Sequence, residues 1–511
     1  MRLRSGFSAI ASHWICLSVI SFLAFSGCLL PRTSSAIHVQ GKLSSEPRAS
    51  IDDLLDGDPF ELKKCMLIES PQLALESRIE LIEAAQTSID VQYFIWKNDE
   101  TGILLIESLL RAADRGVRVR ALVDDAQLEG LIGRIAALDK HPNLEIRIFN
   151  PFNLRQNFRL HILRLAEFVI DGNRLNHRMH NKLMVADGKL AILGGRNLGN
   201  AYFGQGKKRN FVDTDILLTG TIVEELTKGF EAYWESRLAR PPNRMLDLTF
   251  SRMSIESVRD RIDKRLTKRP ELKGLLNGRP SKGFFDELLV APNYDWADGV
   301  IDDPSIGWFE DASELAEQLS EIALRAQEEV LVVTPYLIPT KNALEIAKTL
   351  TSRGVKISVL TNSLESNDVV IAQAAYSRMR KDILAAGVEV YEFKAEPAMA
   401  KDGQGRLKSL HSKYILMDEE IVFIGSQNLD PRSLYINTEL GVVLKSEGLT
   451  SELKRSFNEM IKPENAWRIE QTPNGIRWHS SDGTRATEPA KSSFQRFQHS
   501  LMKLIPISSQ L

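Results

Sequence analysis

Apolar positions along the chain change period repeatedly, and the order of those changes occurs twice. Helical spacing around residues 75–85 leads into a β-rich run at 89–95. The second half repeats this with a helical stretch at 315–326 and an apolar run at 330–334. A helix is predicted over 104–114, followed by Arg115-Gly116-Val117 and a strand to Val123. Its counterpart is a helix over 343–352, then Arg353-Gly354-Val355 and a strand to Leu360. Gly116 and Gly354 stand where a helix C-cap belongs. Further strands follow at 144–149 and 388–393. This βαβ alternation predicts sheets that are mixed but mainly parallel, flanked by helices. A hairpin closes each half, at 179–193 around Asp187-Gly188 and at 414–424 around Asp418-Glu419-Glu420. Two pseudo-symmetric α/β domains are expected, over 59–245 and 304–465.

The remaining segments have other patterns. Arg2 and Arg4 precede an apolar stretch at 15–25 and then Ser26-Gly27-Cys28. This reads as a signal with a lipobox-like end over 1–28, with Cys28 lipidated; the alternative is an uncleaved anchor. Either holds the chain at a bacterial envelope membrane, on the periplasmic side if exported. Residues 29–58 read as a polar tether. The connector 246–303 carries Arg259, Arg261, Lys264, Arg265, Lys268 and Arg269, a solvated helix face or an attraction for anionic headgroups. Residues 154–168 mix Arg155, Arg159 and Arg164 with apolar side chains. The extension 466–511 ends with Phe494, Phe497, Leu501 and Leu504 at helical spacing among Lys491, Arg496 and Lys503. That is the pattern of an interfacial helix, or of one packed on the protein.

Composition narrows this little. The 511 residues are 43% apolar and 26% charged, with a net charge of −2, so global charge selects no partner. Cys16, Cys28 and Cys65 exclude a disulfide framework. No Cys/His cluster has zinc spacing, and no HExxH or EF-hand pattern occurs.

The chemistry lies in a duplicated pattern, His-x-Lys-x4-Asp-x6-Gly-x2-Asn. It reads His180, Lys182, Asp187, Gly194, Asn197, and again His411, Lys413, Asp418, Gly425, Asn428. At residue frequencies near one in twenty, such a set arises by chance about once in 10⁶ starts or less. Residues two apart on a strand share a face, so each His and Lys should aim at one spot. Two imidazoles and two ammonium groups suggest an anionic substrate, most plausibly a phosphodiester. Asp187 and Asp418 are expected to be structural, bonding their own turns and nearby cations.

At these residues the chain resembles the phospholipase D superfamily, and within it the bacterial cardiolipin synthases of the C-type branch. The resemblance covers roughly residues 60–511. It is carried by Phe149-Asn-Pro-Phe152, the run 174–182, the run 194–203, Thr361-Asn-Ser-Leu364, Asn367-Asp-Val369, the run 425–433 and Asn437-Thr-Glu439. Two departures are Gln373, where a histidine is expected, and Glu419, where a glycine is expected after the motif Asp. The resemblance implies His180 as nucleophile, forming a phosphohistidine, and His411 as acid/base; the residues themselves leave that order open.

A phosphodiester must have its charge neutralised and its leaving alkoxide protonated. Lys182 and Lys413 can grip the non-bridging oxygens with Asn197 and Asn428, and Ser426 adds a hydroxyl donor. No metal or other cofactor is then required. Asp215 and Glu439 are expected to orient the imidazoles, with Asp213 competing for the place of Asp215. The expected activity is transfer of a phosphatidyl group, from phosphatidylglycerol or phosphatidylethanolamine, to make cardiolipin. The rivals are hydrolysis by a phospholipase D or nuclease, and a non-catalytic lipid-binding protein. Phospholipids and a membrane surface are the expected partners; no nucleic acid is expected.

Overall fold

The computed structural model describes residues 49–504 except 56, 129–130, 153–160, 243–252, 279, 306–312 and 401–404. The signal with Cys28, nearly all of the tether, and much of the stretch 154–168 lie outside the described residues.

Each half is built on a mixed sheet, one of eight strands and one of ten. Strands Ser88–Tyr93, Arg118–Asp124 and Leu144–Phe149 pair in parallel, as do Glu329–Val333, Lys356–Asn362 and Glu389–Phe393. The joining helices begin and end as their sequences require. Asp99 accepts a hydrogen bond from Gly102 N at 3.1 Å to start Glu100–Asp114, and Thr340 accepts from Ala343 N at 3.2 Å to start Lys341–Ser352. Past their ends Gly116 and Gly354 have φ of 98° and 88°, a region that L side chains rarely adopt.

The expectation of mainly parallel sheets does not hold. Every other pairing within the two sheets is antiparallel. Part of the reason is local, since tight turns join Lys182–Ala186 to Leu190–Gly194 and Tyr414–Met417 to Ile421–Gly425 and a hairpin can only pair its strands antiparallel. Other antiparallel partners, such as Ser88–Tyr93 and Lys182–Ala186, are distant in sequence.

The two halves share a core. Leu183, Leu193 and Ile216 of the first sheet pack in one apolar cluster with Tyr414, Ile424 and Leu440 of the second. Helix Ile255–Leu266 of the connector packs on the outer side of the first half through Val258, Ile262 and Leu266. Most cations of the connector are paired there: Arg259 with Asp114, Arg265 with Glu100, Arg269 with Glu271 and Lys264 with Asp260. The connector's last strand, Trp296–Ile301, joins the second sheet beside Leu440–Lys445, and strands from Ala466 to Arg485 extend that sheet at its other edge.

Candidate active site

The two motif histidines stand just before their strands rather than on them, because the first strand starts at Lys182 and the second at Tyr414. Each histidine instead runs beside backbone of the opposite half. His180 N donates to Thr438 O at 2.9 Å, and Thr438 N donates to Arg178 O at 2.9 Å. Strand Leu407–Leu410 pairs in parallel with Arg209–Val212, and His411 N donates to Val212 O at 2.7 Å. The residue after each paired position is a carboxylate. Glu439 therefore meets His180, with Nδ1 2.8 Å from Oε2, and Asp213 meets His411, with Nδ1 2.6 Å from Oδ2. The imidazoles are thus oriented crosswise, each by the other half, which leaves both Nε2 atoms for chemistry.

Asp213, not Asp215, holds the imidazole. Asp215 is fully buried against Arg78, 2.7 Å from Nη2, and Arg196, 3.3 Å from Nη1. Strand register explains the correction. Gly194 pairs with Asp215, whereas its counterpart Gly425 pairs with Gly441, so the residue equivalent to Glu439 lies two before Asp215. Space enforces the arrangement too. A Cβ at Gly195 would sit 2.0 Å from Asp213 Oδ1 and 3.0 Å from His411 O. The matching residue Ser426 instead donates its hydroxyl to Glu439 and accepts from Leu440 N at 3.0 Å. Ser426 is therefore a support for Glu439 rather than the free phosphate donor expected.

Lys182 and Lys413 are buried, and each Nζ donates to the carbonyl of its own motif histidine. Burial pulls their ammonium groups down, to about 7 for Lys182 and about 8 for Lys413. His180 lies well below its ordinary value through burial and the charges of Lys182 and Lys413. Burial and Lys413 lower His411 as well, but Asp213 opposes them. Despite its burial, Asp213 is held down to about 2 by His411 and Lys413, while burial pushes Glu439 up to about 7 against Lys182. The two halves thus differ electrostatically: His411 faces a firmly ionised carboxylate, and His180 does not.

Other expected residues take quieter places. Asn197 accepts from Ile95 N at 3.1 Å and donates to the Tyr202 hydroxyl at 3.0 Å. Asn428 Oδ1 is buried with no hydrogen-bond partner among the described residues, as are Asn181 Nδ2, Gln427 Oε1 and Asn437 Oδ1. Asp187 and Asp418 lie at the far ends of the strands, with φ of 53° and 52°. Among the described residues their carboxylates neither hydrogen-bond their own turns nor form an ion pair with a cation. Asp187 accepts from the backbone N–H groups of Gln86, Thr87 and Ser88, and Asp418 from those of Gln327, Glu328 and Glu329. They tie each hairpin to the loop before its neighbouring strand. Glu419 keeps its φ of 59° beside Lys454, to which it is ion-paired. Gln373 bonds Asn367 and Glu488, so it anchors the C-terminal extension. Three aromatic rings escaped the sequence reading: Phe94 lies 5.0 Å from the His180 ring, and Tyr202 and Phe211 lie 5.3 and 5.1 Å from that of His411.

Two mixed-sheet halves closing on one pair of His-x-Lys segments define a phospholipase D-like protein. The family model described as cardiolipin synthase, PLD-like domain, matches residues 78–234 and 319–461, and the chain belongs to that family. It is 36% identical to cardiolipin synthase C of Escherichia coli K12, covering 85% of this chain and 93% of that protein. Cardiolipin synthase 1 of Bacillus cereus is 24% identical over 82% of this chain and 68% of its own length. The crystal structure of phosphatidylserine synthase from Haemophilus influenzae has the same fold, with a TM-score of 0.57 at 16% identity, covering 88% of this chain and 95% of that one.

Proposed function

We propose that this protein is a membrane-associated phosphatidyltransferase that makes cardiolipin from phosphatidylglycerol and a second phospholipid, through a phosphohistidine. The crosswise pairing of His180 with Glu439 and His411 with Asp213 carries the reading. His180, neutral and oriented through Nδ1, attacks phosphorus with Nε2. The bond from phosphorus to the donor's headgroup oxygen breaks, and His411 Nε2–H gives that oxygen its proton. A hydroxyl of the acceptor phosphatidylglycerol then returns a proton to His411 Nε2 and attacks phosphorus, and the phosphorus–nitrogen bond breaks. Lys182 and Lys413 offset the charge on the non-bridging oxygens in both steps. Asp213 stabilises the imidazolium that His411 becomes, which supports His411 as acid/base and His180 as nucleophile.

The C-terminal helix Ser493–Met502 supports membrane contact. Its polar side faces the protein: His499 is buried beside Glu488 at 3.3 Å, and Gln495 donates to Leu364 O at 2.7 Å. Phe494, Phe497, Leu501 and Leu504 point away and are between 50 and 78% exposed. An apolar row turned to the outside suits the headgroup boundary of a bilayer. No helix among the described residues is long and apolar enough to cross a membrane. Attachment to the bacterial envelope through residues 1–28, with Cys28 lipidated, remains part of the proposal.

The test is product analysis with head-group-labelled and acyl-labelled phospholipids, combined with rapid trapping in neutral SDS, because a phosphorus–nitrogen bond is labile in acid. Cardiolipin and a labelled phosphohistidine at residue 180 are expected. Phosphatidic acid as the sole product would replace transfer with hydrolysis, and label at residue 411 would reverse the two roles.

A further inference from the structure

A cavity of about 330 Å³ opens in the first half, far from being a packing defect of ordinary size. Interiors pack to crystal-like density with few voids larger than a water molecule, whereas ligand cavities run from about 300 to 1,000 Å³. Its floor is Val123 and Ile146 on the sheet, and its walls include Leu109, Ile135, Val258 and Ile262 from three helices. One of these helices is Ile255–Leu266 of the connector, so the cavity exists only because that segment packs back on the first half. Neither motif histidine, neither motif lysine and neither orienting carboxylate is among the residues lining it.

The mouth is basic. Lys97, Arg134, Arg261, Lys264 and Arg265 stand around an otherwise apolar space. Lys264 is answered by Asp260 at 2.6 Å and Arg265 by Glu100 at 3.4 Å. Arg134 and Arg261 have no carboxylate partner among the described residues. Burial holds the Arg134 guanidinium below its ordinary value, and the charges of Arg261 and Arg265 add to the effect. An anion at the mouth relieves that repulsion, and an apolar chain fills the space behind it. The mouth also touches the motif segment, since Lys97 N donates to Leu198 O at 2.8 Å, next to Asn197.

We propose that this cavity takes one acyl chain of an anionic phospholipid whose phosphate is held by Arg134 and Arg261, a lipid site separate from the catalytic pair. The joint demand for a long apolar tail and a negative head selects a phospholipid over a soluble anion or a neutral amphiphile.

The full-length protein is placed in vesicles with phosphatidylglycerol carrying a photoactivatable diazirine in one acyl chain, and cross-links are mapped by mass spectrometry. Label is expected on the segments bearing Leu109, Ile135 and Ile262, and at least threefold less from diazirine-phosphatidylcholine. Ile135→Trp, which fills the space, should cut that label at least fivefold. The surface pair Arg134→Glu and Arg261→Glu should do the same without filling it, and keeps the test valid if the tryptophan variant does not fold. His180→Ala should leave the label unchanged, so loss of catalysis and loss of this site are read separately. Label confined to the surroundings of His180 and His411, or insensitive to both cavity and mouth variants, overturns the proposal. So does stronger cavity labelling by diazirine-laurate than by the phospholipid, which would assign the site to a free fatty acid.

Discussion

His411 Nδ1 lies 2.6 Å from Oδ2 of Asp213, a carboxylate contributed by the other half of the chain. Two residues on, Asp215 serves a different purpose, neutralising the buried Arg78 and Arg196. On the proposed mechanism, the two aspartates should therefore separate catalysis from stability. Asp213→Asn should keep the fold and lower kcat by about 10²–10⁴-fold, the span for losing effective acid/base assistance. Asp215→Asn should instead destabilise by about 3–5 kcal/mol, since it leaves buried guanidinium groups short of a partner. Circular dichroism melts beside initial rates tell the two apart. Equal loss of activity with unchanged melting in both variants would contradict the division.

Gly195 is the position that lets Asp213 approach. Its missing Cβ would stand 2.0 Å from Asp213 Oδ1, so Gly195→Ala must push the carboxylate off His411. The expected result is a fall in kcat approaching that of Asp213→Asn, with little further loss when the two are combined. Ser426, at the matching place, already carries a side chain, and it donates to Glu439. Ser426→Ala should therefore act on the His180 side. Multiplicative effects of Gly195→Ala and Asp213→Asn would show that they act independently, against this reading.

What the sequence alone made legible was local. The helix between Asp99 and Gly116 and the strand that follows are dictated by neighbours a few residues apart. The paired motifs are visible because their spacing is a property of one segment. The exchange of carboxylates is not, because it depends on Leu407–Leu410 pairing with Arg209–Val212, some two hundred residues away. Asp213 and Asp215 are two apart and indistinguishable by strand periodicity; only the register of Asp215 against Gly194 decides between them. The antiparallel bias of the sheets was hidden for a similar reason. Each βαβ unit announces its own parallel pair, while the neighbours that complete the sheet come from hairpins elsewhere. The apolar tail was legible as a pattern, but which side of it faces the protein needed Glu488 and His499 in place.

The buried lysines set a pH dependence. In the free enzyme Lys182 and Lys413 lose charge as pH rises through about 7 and 8, and the attraction for a phosphodiester goes with it. kcat/KM, which reports the free enzyme, should fall across that window. A bound phosphodiester favours the protonated lysines, so kcat should hold to higher pH. Stability runs the other way. Unfolded lysine keeps its proton to about pH 10.4. Between pH 7 and 10 the unfolded chain therefore binds more protons than the folded one, and this source adds stability as pH rises. Melting temperatures of wild type relative to Lys182→Met should climb from pH 7 to pH 10. Parallel curves for the two proteins would place the Lys182 charge outside the folded-state balance.

The C-terminal helix permits the sharpest separation of membrane binding from folding. Its outward row, Phe494, Phe497, Leu501 and Leu504, is at least half exposed, so polar replacements there remove little that the fold uses. A variant with all four changed to serine should melt within a degree or two of wild type and lose most of its co-sedimentation with anionic vesicles. Its inward side behaves oppositely. Glu488 gathers Arg380, Gln373 and His499 at the foot of the helix, and Arg380 is itself buried against Glu392 at 2.8 Å. Glu488→Ala strips a buried cation of one partner and should lower the melting temperature by several degrees. The residues that remain docked should still bind vesicles. If instead the serine variant melts early while vesicle binding per folded molecule is unchanged, the row is a packing surface for some other part of the chain, and the bilayer reading of this helix fails.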